Sequence, residues 1–114
     1  MKEMPKRGYL GDFELMVLLA LMRLGEDAYG VPISREIEQQ SGRAVALGTV
    51  YAALERLEQR DLVSSEMGES TPQRGGRAKR YFRVTKKGVR EVREARSALI
   101  SLWQGLRDLE GERA

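Results

Sequence analysis

The chain has 114 residues, about one domain's worth, long enough to bury one modest hydrophobic core. Charged residues make up 32%, with 20 Lys and Arg against 17 Asp and Glu, for a net charge of +3. Cysteine and histidine are both absent, which excludes disulfides, Cys or His zinc sites, thiol nucleophiles, a Ser-His-Asp triad and a histidine pH switch.

Residues 1–11 read as an N-terminal arm. Asp12 is the expected N-cap of a first helix that carries Glu14 in its first turn, runs to Leu24 and stops at Gly25. Phe13, Met16, Val17, Ala20, Leu21 and Leu24 form one stripe at helical spacing, and Leu15, Leu18, Leu19 and Met22 form a second beside it. A helix apolar nearly all round needs cover on more than one side, and in so short a chain a partner subunit is an expected source of it. The longest apolar run, residues 15–22, has eight residues where a membrane span needs about 20. Asp12, Glu14 and Arg23 flank it and no A-x-A site follows, so the expectation is a cytoplasmic protein with no membrane contact.

A second helix is expected from Gly30, with Pro32 in its first turn, to about residues 41–42, burying Ile33 and Ile37. Residues 44–47 are expected to form a short strand. A third helix opens at Gly48-Thr49 and reaches about Arg60. Its period turns Val50, Ala53, Leu54 and Leu57 inward, and Tyr51, Ala52, Glu55, Arg56 and Gln59 outward. Residues 62–67 read as a strand, residues 68–78 as a loop with Pro72, Gly75 and Gly76, and residues 80–85 as the return strand. In that strand Phe82 and Val84 share one face, Tyr81 and Arg83 the other. The last helix is expected over residues 86–109. Val92, Leu99 and Leu106 recur every seven residues, as do Ala95, Leu102 and Leu109, giving an a/d seam of about two and a half heptads beside Trp103. This helix either packs on its own domain or pairs with a second chain. The seam lies beyond a small core that is already complete, which favours a homodimer.

Residues 70–90 hold Arg74, Arg77, Lys79, Arg80, Arg83, Lys86, Lys87 and Arg90 and no acid, which makes this segment +8 and leaves the remainder at −5. Concentrated positive charge on an otherwise acidic body reads either as a polyanion footprint or as a solvated loop. The element order gives a mainly α fold with a small β-hairpin. It is a winged helix-turn-helix over residues 12–85, followed by a dimerisation helix and tail over residues 86–114. A helix fits the DNA major groove, a basic loop can lie over phosphates or a minor groove, and a homodimer would read two half-sites related by two-fold symmetry. A winged-helix protein-interaction module without DNA binding is the alternative. An enzyme is disfavoured: Glu55 and Glu58 sit on a charged face beside Arg56, and Gly75-Gly76 is too short a signal for a nucleotide site. No catalytic residue, metal or cofactor is expected.

Four segments, in this order and spacing, carry a resemblance: Tyr29-Gly30; Gly48-Thr49-Val50-Tyr51 with Leu54-Glu55-Arg56-Leu57; Gly75-Gly76-Arg77-Ala78-Lys79-Arg80-Tyr81-Phe82; and Thr85-Lys86-Lys87-Gly88. Across about residues 10–90 the chain resembles the PadR family of bacterial transcriptional regulators. The single helix after Gly88 resembles the family's compact subfamily. The resemblance implies a cytoplasmic homodimer that binds double-stranded promoter DNA, usually as a repressor, with release by a small molecule.

By that resemblance Thr49, Tyr51 and Arg56 lie on the DNA-facing side of the recognition helix, Tyr29 and Gly30 approach the phosphate backbone, and Arg77, Lys79 and Arg80 belong to the wing. Each has a second reading. Tyr51 is either a phosphate donor or a half-buried aromatic stabilising its helix. Arg56 is either a DNA contact or the partner of an acid one turn away. Tyr29 is either near the DNA backbone or a packing residue at a helix start. Trp103 either packs against the partner's first helix or stacks a small aromatic or apolar effector, as the resemblance to compact members implies, with Leu99 and Phe13 lining the same space.

Overall fold

The computed structural model describes residues 10–68 and 78–109. Helix α1 spans Asp12–Leu24 and ends in a 3-10 turn, Gly25–Asp27; α2 spans Gly30–Ser41 and α3 spans Leu47–Gln59. Strands β1 (Val63–Met67) and β2 (Arg80–Val84) pair antiparallel, and α4 spans Lys86–Trp103. This is the mainly α arrangement with one hairpin that the sequence implies.

The core forms where three apolar faces meet. Val17 and Leu18 of α1, Ile33 of α2, and Val50, Leu54 and Leu57 of α3 are fully buried, with Leu62 and Val63 closing the side toward the hairpin. The inward and outward sets of α3 fall where its 3.6-residue period puts them. Burying a Leu or Ile side chain contributes about 1.5–3 kcal/mol, so this cluster, rather than intrinsic helix propensity, holds the three helices together.

Hairpin register places Ser65 opposite Phe82 and Glu66 opposite Tyr81. Phe82 is buried, and its amide donates to the Ala28 carbonyl at 2.9 Å, so the free edge of β2 is tied to the segment entering α2. At the other end of the hairpin Thr85 links three elements. Its amide donates to the Leu62 carbonyl at 3.0 Å, its hydroxyl donates to the Asp61 carbonyl at 2.7 Å, and that hydroxyl accepts from the Gly88 amide at 3.0 Å as the N-cap of α4. Gly88 is required by close approach, since a β-carbon there would collide with the Leu62 carbonyl.

Four local expectations are corrected. Gly11, not Asp12, is the N-cap of α1, and the Glu14 carboxylate accepts from the Gly11 amide at 3.3 Å, the one half of a capping box that a glycine permits. The strand expected at residues 44–47 does not form. Val45 packs against the core and its carbonyl accepts from the Ser34 hydroxyl at 3.0 Å, so this link is anchored without a partner strand, and α3 starts at Leu47. The first and return strands are each one residue shorter than expected, because Leu62 and Thr85 take the joint just described. Finally, α4 stops at Trp103, with Gln104 extended and Gly105 at φ 85°, leaving Leu106 and Leu109 beyond the helix and outside the helical seam.

Candidate nucleic-acid interface

On the outer face of α3, Thr49, Tyr51, Ala52, Glu55, Arg56 and Gln59 are exposed. Tyr51 reaches across to the start of α2, where its hydroxyl occupies the space that a β-carbon of Gly30 would need. That start has no side-chain cap and no acid in its first turn, so its partial positive charge is not neutralised by the chain itself. The Tyr51 ring lies 6.4 Å from the Phe82 ring, and a groove of about 470 Å³ runs between α3 and β2, lined by Tyr51, Glu55, Glu58, Gln59 and Arg80. The expected recognition-helix residues and the root of the wing therefore share one side of the molecule.

Tyr29 sits edge-on to Tyr81, with ring centroids 5.3 Å apart at 66°, and the Lys79 ammonium lies 4.9 Å above the Tyr29 ring. Tyr29 thus packs at the helix start and holds the Lys79 ammonium over its ring there. Lys79 has no acidic partner among the described residues. Arg80 does. Its Nη2 lies 3.2 Å from Glu58 Oε1, its Nε donates to the Ser65 hydroxyl at 3.0 Å, and that hydroxyl donates to Glu58 Oε2 at 2.8 Å. Arg56 is also paired, but with Glu14 of α1, Nε to Oε2 at 2.9 Å, not with an acid one turn away. Arg77 lies outside the described residues. Sequence reasoning missed Glu14, Ser65 and Glu58 as partners. Only the first-turn position of Glu14 was a local signal.

The second expected site is apolar. Leu99 and Trp103 of α4 line an open groove of about 660 Å³ with Leu15, Leu19, Val92 and Ile100, and with the polar Arg96 and Gln104. Trp103 is 53% exposed and Leu102 is 73% exposed, so these surfaces are uncovered within one chain. Phe13 is not brought to this groove. It packs against the core from the other stripe of α1, more than about 100° round the helix from Leu15 and Leu19. Among the described residues no acidic group is arranged to hold a metal ion, and no helix is long and apolar enough to cross a membrane.

The family model described as the transcriptional regulator PadR-like family matches residues 18–94, from mid-α1 to mid-α4. The chain belongs to the PadR-like family. Among solved structures, a PadR-like transcription factor from Bacteroides fragilis is 30% identical with a TM-score of 0.68, covering 79% of this chain and 82% of that one. A PadR family transcriptional regulator from Eggerthella lenta is 28% identical with a TM-score of 0.65, covering 82% and 80%. One from Clostridium difficile, 22% identical with a TM-score of 0.65 and covering 81% and 91%, shares the fold. No curated protein sequence matches the chain. The PadR-like match takes in Tyr29, Tyr51, Arg56, Lys79 and Arg80 and ends before Leu99 and Trp103.

Proposed function

We propose that this PadR-like chain is a homodimeric repressor that binds promoter DNA in the cytoplasm and reads a two-fold-symmetric operator. One observation carries the reading: Tyr51 of α3 sits on the uncapped start of α2, with the Lys79–Tyr29–Tyr81 stack at the same helix start. A phosphate placed there would meet the α2 helix end, a phenol donor and an ammonium. Such contacts fix position on the duplex without specifying sequence. Thr49 and the exposed turns of α3 then face base edges, while Arg56, Arg77 and Arg80 supply further cationic contacts.

Dimerisation accounts for the exposed apolar residues of α4 and for Leu19 and Met22 of α1. The groove at Leu99 and Trp103 would accept a flat aromatic or apolar effector, since its lining is mainly apolar apart from Arg96 and Gln104. Such a ligand acts by favouring a dimer whose recognition helices no longer match one DNA turn, about 34 Å, and only to the extent that it binds that arrangement more tightly.

The test is selection of bound duplexes from fragmented source DNA at near-physiological salt. Recovery of one two-fold-symmetric motif supports the reading. Recovery of salt-sensitive scatter, or of nothing, overturns it in favour of a protein-interaction module.

A further inference from the structure

A carboxylate in the first turn of a helix is satisfied by the helix start alone. Glu14 has two partners: Oε1 accepts from the Gly11 amide, and Oε2 accepts from Arg56 Nε across 42 residues of sequence. The acid side chain is 16% exposed and the arginine side chain 55%, so the acid is held in place while the cation's outer part faces solvent. Nε is the inner edge of a guanidinium. A bond there leaves the Nη1–Nη2 end, the part that binds paired acceptors, open, and among the described residues nothing engages it. At the wing root Ser65 and Glu58 hold both Nε and Nη2 of Arg80, so that guanidinium is restrained but keeps no free pair of Nη groups.

Building on the DNA-binding reading above, we infer that Glu14 is a positioning residue that makes Arg56 discriminate between operator and random DNA. A free arginine is drawn to any phosphate. With a carboxylate at its inner edge, its pull on random backbone is weakened. At the same time its orientation is fixed, so less rotamer freedom is lost when it meets the paired acceptors toward which it points. Those acceptors are the O6/N7 edge of a guanine, since phosphate oxygens are the same on every duplex. Glu58 likewise weakens the pull of Arg80 on random backbone, without leaving it a free pair of donors.

The experiment compares affinity for the selected operator duplex with affinity for a random duplex of equal length, for wild type, Glu14→Gln, Arg56→Met and the double variant. Glutamine still accepts from the Gly11 amide, and thermal denaturation verifies the fold. Glu14→Gln is expected to tighten random-duplex binding about 2–5-fold, to tighten operator binding by less, and to steepen the random-duplex salt slope by about one. In the Arg56→Met background it is expected to change neither. Glu58→Gln, read against Arg80, is the second variant. Operator containing 7-deazaguanine, which lacks the N7 acceptor, is expected to weaken wild-type binding but not Arg56→Met, and unchanged wild-type binding overturns the inference. An unchanged operator-to-random ratio in Glu14→Gln, or the same gain without Arg56, overturns the inference. If the wild type prefers no duplex, the DNA-binding reading itself fails, and this inference with it.

Discussion

The phenol of Tyr51, on α3, fills the space beside Gly30, on α2, that any larger residue there would need. Gly30→Ala is therefore expected to push the exposed tip of Tyr51 aside at a cost of less than about 1 kcal/mol of stability, measured by urea unfolding, because alanine is the better helix former. Tyr51→Ala in the same background should recover most of that loss, because the two substitutions act on one contact.

The Tyr51 hydroxyl makes no hydrogen bond among the described residues, so its removal tests function apart from fold. Tyr51→Phe is expected to leave the melting temperature within about a degree and to weaken operator binding by about 0.5–1.5 kcal/mol, as for one lost hydrogen bond. Titration of a labelled duplex measures it.

Lys79 is held over Tyr29 with no acid to neutralise it. Lys79→Ala is expected to weaken binding to all duplexes alike and to reduce the salt slope by about 0.9, the loss of one phosphate contact. A sequence-dependent loss would place this ammonium on a base edge instead.

Leu102 is largely exposed in the single chain, so a charge there costs the monomer little. Leu102→Glu is expected to leave the helical circular dichroism intact while shifting sedimentation toward monomer and weakening operator binding. Unchanged sedimentation would remove α4 from the interface.

Thr85 closes the joint between hairpin and α4 through one hydroxyl that both donates and accepts. Thr85→Ala is expected to lower stability by about 1 kcal/mol, up to about 2 if the Asp61 carbonyl is left unsatisfied, with Thr85→Ser close to wild type in thermal unfolding.

What could be read from the chain was whatever repeats along it. The inward set of α3, the faces of β2 and the buried run of α1 follow from periods of 3.6 and 2, which a sequence displays directly. The alternation over residues 44–47 looked the same as a strand, because one anchored side chain, Val45, imitates a pleat; whether a partner edge exists is a tertiary fact. The heptad pattern continued past residue 103 because apolar spacing is blind to the left-handed turn at Gly105. At the site, the residue types at Tyr29, Gly30 and Tyr51 were legible. The acids holding Arg56 and Arg80 were not, since Glu14 and Glu58 meet them only after the helices pack and the hairpin closes.

The joint at Thr85 leaves no hinge between the hairpin and α4. An 18-residue helix fixed at its base is a lever roughly 27 Å long, at 1.5 Å per residue. In the proposed dimer, a rotation of about 10° at its far end is delivered undiminished to the domain it carries, and moves points at that radius by about 5 Å. That displacement exceeds the rise of one base pair, about 3.4 Å, enough to take a reading helix out of register with its half-site. A small molecule among the exposed residues near Trp103 would thus need to bring about only a slight change of crossing angle, because the length of α4 supplies the amplification.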